Sequence, residues 1–157
     1  MGLPWLRGVA AVALTAWPLA AQQVRELGVQ ATATASDPAL GAVGGYIALR
    51  PSQRSRISLV AAAGVSGGQL AWRGELLAHF LLNPLVREGA GVYAAGGLAV
   101  VGGPVERGYL VLTLGVDSGP GASEGWFAEA GVGGGFRVSG GYRWRQNAPA
   151  HGDAPGR

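Results

Sequence analysis

The residues able to do chemistry are few. His79 and His151 are the only histidines, and the chain has no cysteine. That removes thiolate nucleophiles, thiolate metal sites and disulfides, and the two histidines do not stand at metal-ligand spacing. His79 has a carboxylate, Glu75, four residues before it, and serines occur elsewhere. On paper these could make a Ser–His–Glu hydrolase. Yet no G-x-S-x-G elbow is present and no serine lies near His79 in sequence, so no catalytic residue is expected. His79 reads as a pore-facing or interfacial side chain, and His151 as a solvated one. The glycine-rich stretches GVGGG (131–135) and GGL (96–98) carry no P-loop lysine and open no helical pattern. They suit tight turns and close packing instead, and no cofactor is expected.

What remains is ionic. Arg73 and Glu75 are two residues apart, Glu129 precedes Arg137 and Arg143, and Glu26, Arg50 and Asp117 are isolated charges in apolar or small surroundings. Guanidinium and carboxylate groups make strong paired hydrogen bonds when an element gathers them away from water. The question is which element does so.

From residue 22 onward eight segments alternate with a period near two: 24–36, 39–50, 56–66, 69–82, 90–102, 107–117, 125–133 and 136–145. That period belongs to strands. Between them stand SDP, RPSQRSR, SGG, NPLVREGAG, GGPVERG, DSGPGASEG and GGG, all turn-forming. No stretch is long enough for a crossover helix, so sequential strands should pair antiparallel.

The two faces decide the setting. Leu27, Val29, Ala31 and Ala33 oppose Glu26, Gln30, Thr32 and Thr34; Leu70, Trp72, Leu76, Ala78 and Phe80 oppose Arg73, Glu75 and His79. In the last segment, FRVSGGYRWR, Phe136, Val138, Gly140, Tyr142 and Trp144 alternate with Arg137, Ser139, Gly141, Arg143 and Arg145. Bulky oil on one face, with small residues and isolated charges on the other, suits a narrow closed tube dissolved in lipid. The predicted fold is all-β, an eight-stranded antiparallel up-and-down transmembrane β-barrel. Closure satisfies every backbone donor and acceptor, as hydrocarbon demands. Glu26, Arg50, Arg73, Glu75, Asp117, Glu129, Arg137 and Arg143 then form a charge network in the lumen, with Glu129 facing the strand that carries Arg137 and Arg143. Trp72 and Phe80 are eight residues apart on one face, as are Phe136 and Trp144. Eight tilted residues rise roughly 20 Å along the axis, close to the apolar band of such barrels. These four, with Trp126 and Tyr142, are expected to form aromatic girdles.

Over residues 22–145 this pattern resembles the small eight-stranded outer-membrane barrels of the outer-membrane protein A type. The sharpest likeness is FRVSGGYRW, whose alternation and closing aromatic are similar to the final strand that the outer-membrane assembly machinery reads. The resemblance implies outer-membrane lipid and that machinery, through residues 136–144, as partners, and a monomeric protein. Two features depart from it. The tail RQNAPAHGDAPGR follows the aromatic, and the connections on the side facing away from the termini are brief.

Residues 1–21 read as a secretory signal peptide: a basic start ending at Arg7, an apolar run from Gly8, and small residues at Ala20 and Ala21. Residues 146–157 read as a disordered tail. Composition agrees with a membrane setting. Charged residues are 13% and mean hydropathy is +0.25, against about 25% charged in soluble domains. All twelve basic residues are arginines scattered singly, with no stripe to follow a phosphate backbone, so nucleic acid is not an expected partner. Two rivals follow from the same residues. One is a soluble exported lipocalin-like barrel, with the oily faces inward. The other is a helical membrane protein built on the uncharged stretch 89–105, six of whose residues are glycine.

For function, the residues point to a structural protein of the cell envelope, its lumen plugged by side chains, without catalysis. A narrow channel or a conduit for a small hydrophobic ligand is the alternative.

Overall fold

The computed structural model describes residues 24–104 and 106–146. The expected signal peptide and the tail from residue 147 lie outside them. Eight strands follow in order: β1 Val24–Ala35, β2 Leu40–Arg50, β3 Ser55–Ser66, β4 Gln69–Leu81, β5 Ala90–Gly102, β6 Arg107–Ser118, β7 Glu124–Val132 and β8 Phe136–Gln146. Each is antiparallel to the next, and β1 pairs with β8 to close the barrel. Every strand end falls within one residue of the sequence reading. Gln146, read as tail, is instead the last residue of β8. The stretch weighed as a helix is β5, where glycines that would weaken a helix sit in an extended wall.

One end of the barrel holds the start of β1, the end of β8 and the connections 51–54, 82–89 and 119–123; the far end holds 36–39, 67–68, 133–135, the end of β5 and the start of β6. The β3–β4 hairpin shows why turns can be so brief. Gly67 and Gly68 have φ of 58° and 77°, and a two-residue turn with both residues left-handed is open to glycine at little cost.

The wall is inverted relative to a soluble barrel. Leu70 and Leu110 are 80% and 77% exposed on the outside, whereas Arg73, Arg137 and Arg143 are at most 2% exposed within. A lipocalin-like barrel requires the reverse, so that rival falls. The interior is not wholly small and polar, however. Tyr46, Val60 and Phe127 form one inward apolar cluster, Leu77 and Val111 another, and Leu81 and Tyr93 a third. Glycine in the wall makes room for these rings. A Cβ at Gly115 would collide with the Tyr93 ring, and one at Gly141 would come within 2.7 Å of Phe127.

Candidate functional site

Inward-pointing charges gather at two levels. Nearer the chain termini, Glu26 of β1 and Asp117 of β6 are surrounded by Arg50, Arg56, Arg143 and Arg145, from β2, β3 and β8. Arg50 Nε donates to Glu26 Oε1 at 2.7 Å and Arg145 Nε to the same oxygen at 3.3 Å. Arg56 Nη1 lies 3.5 Å from both Glu26 Oε2 and Asp117 Oδ2. Arg143 donates to Asp117, and Tyr46 donates its hydroxyl to Glu26. Further along the lumen, Arg73 donates to Glu75, which also accepts from Arg137 at 2.7 Å. Arg137 reaches Glu129 at 3.4 Å, and Glu129 takes further hydrogen bonds from Ser139 and Tyr93. Aromatic faces join the levels: Arg56 stands 4.6 Å from the Tyr93 ring centroid and Arg143 5.4 Å from that of Phe127, within cation–π range.

The eight residues named from sequence thus divide into two groups. Glu26, Arg50, Asp117 and Arg143 meet in the first, and Arg73, Glu75, Glu129 and Arg137 in the second. Glu129 contacts Arg137 but not Arg143, because six residues along β8 separate the two arginines by roughly 20 Å. The six aromatics named for girdles all point outward. Trp72 and Phe136 lie toward the far end, and Phe80, Trp126, Tyr142 and Trp144 toward the termini. At the far end a cavity of about 30 Å³ is lined by Thr34, Ser66, Arg73 and Tyr109; that is room for water, not for an organic ligand. Among the described residues no cluster of His, Asp and Glu is placed to hold a metal ion.

The fold is similar to that of a solved barrel domain, in architecture only. The N-terminal beta-barrel domain of Pseudomonas aeruginosa OprF superposes with a TM-score of 0.60 at 13% identity, over 77% of this chain and 97% of that one. No protein-family model matches the chain, and no curated protein sequence does. The comparison therefore bears on the eight-stranded plan, and the lumen must be read from its own residues.

Several of those residues escaped the sequence reading. Arg56 closes the turn RPSQRSR and opens the segment 56–66 without being assigned to the lumen; β3 begins at Ser55 and turns Arg56 inward. Its even-numbered parity with Ser58 and Val60 was the available signal. Arg145 extends the alternation of Arg137 and Arg143 by one step. Ser58 was missed because its partner is on another strand: antiparallel register sets Arg56 beside His79 and Ser58 beside Leu77. Ser58 Oγ lies 2.7 Å from His79 Nε2, and Arg56 Nη2 lies 3.0 Å from Nδ1.

This trio is oriented against base catalysis. Arginine has donors only, so Nδ1 must accept; the neutral ring then carries its proton on Nε2 and donates it to Ser58. A serine nucleophile needs that nitrogen empty-handed. Glu75, whose spacing suggested a third member, binds Arg73 and Arg137 instead. Ser58→Ala is expected to destabilise the barrel by about 1–3 kcal/mol, because a buried N–H loses its acceptor. Urea unfolding in detergent micelles would measure it.

Proposed function

We propose that this chain is a small outer-membrane β-barrel, a structural element of the cell envelope whose lumen is plugged by its own charged side chains and which catalyses no reaction. The inverted wall carries the reading. Leucines, valines and aromatics face out around the whole circumference, while arginine–carboxylate pairs occupy the interior. Only a lipid surrounding makes that arrangement favourable. In this reading the end with both termini faces the periplasm, residues 1–21 direct export, and the protein is a monomer. The outer-membrane assembly machinery takes hold of β8, which presents Phe136, Val138, Tyr142 and Trp144 outward.

The plug follows from the energetics of the lumen. Charges withdrawn from water persist only when paired and hydrogen-bonded, and removing one partner strands the other. Such pairs across an eight-stranded tube fix register and leave little space to conduct. The test uses full-length protein extracted from membranes in detergent. Unboiled samples should keep a distinct mobility on SDS gels and lose it on heating, and the protein should give negligible conductance in planar bilayers. Arg73→Ala and Arg143→Ala should lower the temperature of the mobility shift without opening a conductance. Raised conductance at unchanged heat stability would replace the plug with a gate.

A further inference from the structure

The two levels of lumen charge differ in balance. Arg73 and Arg137 face Glu75 and Glu129, two cations against two anions. Near the termini, Arg50, Arg56, Arg143 and Arg145 face only Glu26 and Asp117, four against two. His79 adds no negative charge, since it accepts from Arg56 as a neutral ring. Unpartnered donors are concentrated at the same level, five against the single Arg137 Nε of the balanced one. Arg50 Nη2, Arg56 Nε, Arg143 Nε and Nη1, and Arg145 Nη2 are buried and donate to no acceptor among the described residues. Arg145 already turns Nη1 to the carbonyls of Gly119 and Ala122 at 2.7 Å each, while Asp117 Oδ1 is placed to accept from none of these donors.

A surplus of two buried positive charges in a low-dielectric tube is costly unless an anion accompanies it. We propose that this cluster is a binding site for a small inorganic anion of the halide class, held by the guanidinium groups of Arg50, Arg143 and Arg145 inside the mouth beside the termini. Arg50 marks the way in. Its side chain is 13% exposed, whereas those of Arg56 and Arg143 are at most 1%. The enclosing wall keeps lipid headgroups out, and Glu26 and Asp117 disfavour multiply charged anions, so a monovalent ion fits best. This goes beyond a plugged barrel: a plug balanced by its own residues needs no ion.

Chloride-35 nuclear magnetic resonance tests it on the full chain in nonionic detergent. Excess line width should rise saturably with protein-bound chloride and be displaced by bromide at constant ionic strength. Arg50→Gln, at the rim, should weaken binding roughly tenfold, the effect of deleting one charged donor. Arg107→Gln, outside the cluster, should leave it unchanged. The unboiled gel mobility of each variant checks that the barrel is closed. No saturable broadening in the unmodified protein overturns the proposal, whatever else balances the arginines. Equal broadening in a closed Arg50→Gln barrel overturns it too.

Discussion

Glu26→Gln is expected to cost the barrel about 3–5 kcal/mol, the range for deleting one member of a buried ion pair. Glu26 is within ion-pair distance of Arg50, Arg56, Arg143 and Arg145 and accepts the Tyr46 hydroxyl. The amide keeps the shape and one acceptor but leaves four guanidiniums to Asp117. Urea unfolding in lipid vesicles, followed by tryptophan fluorescence, measures the loss. Two comparisons make it specific. Glu124→Gln, at an exposed position at the start of β7, should fall within about 0.5 kcal/mol of the parent. Adding Arg145→Gln to Glu26→Gln should cost less than the sum of the separate changes, since it removes one of the stranded cations.

The second large effect lies on the other face of the wall. Leu112 is mid-way along β6, beside Gly96 of β5 and Val132 of β7, and is 64% exposed. Leu112→Arg should cost about 2–4 kcal/mol in vesicles, as cationic residues do at a bilayer midplane. Leu85→Arg, in the 82–89 connection, should be nearly neutral although Leu85 is more exposed still. Exposure alone does not set the penalty; depth in hydrocarbon does. The same unfolding assay reads both.

How far the sequence spoke depended on local contrast. In β1 and β8 charge and oil alternate residue by residue, so Glu26 and Leu27, or Arg143 and Trp144, could be assigned to opposite faces at once. Strand ends were legible because Gly, Pro and Ser cluster between them. Contrast fails in LLAHFL of β4 and VLTL of β6. There Leu76 and Leu112 point out, but Leu77 and Val111 point in beside His79 and Thr113, so leucine and valine stand on both faces. Tyr46, Tyr93 and Phe127 stayed hidden for the same reason: a large ring inside a narrow tube needs a facing glycine, and that pairing lies across strands. Register was the other blind spot. Nothing local to His79 announces Ser58 or Arg56, yet hairpin pairing sets all three together. The division of charges into a balanced and an unbalanced level also depends on distance along the barrel axis, which spacing within one strand cannot convey for its neighbours.

The central claim is the direction of the wall, and the absence of native cysteine allows it to be read one position at a time. Single cysteines at Leu110, Leu112, Leu114 and Val116 of β6, each spin-labelled and reconstituted in vesicles, can be exposed to oxygen or to a water-soluble nickel chelate. Oxygen, which concentrates in hydrocarbon, should relax these labels more strongly than the chelate, with the greatest excess at Leu112 and a reversal at Glu106 beyond the strand. Stronger relaxation by the chelate at Leu112 and Leu114 would contradict a lipid-facing exterior and, with it, the membrane barrel.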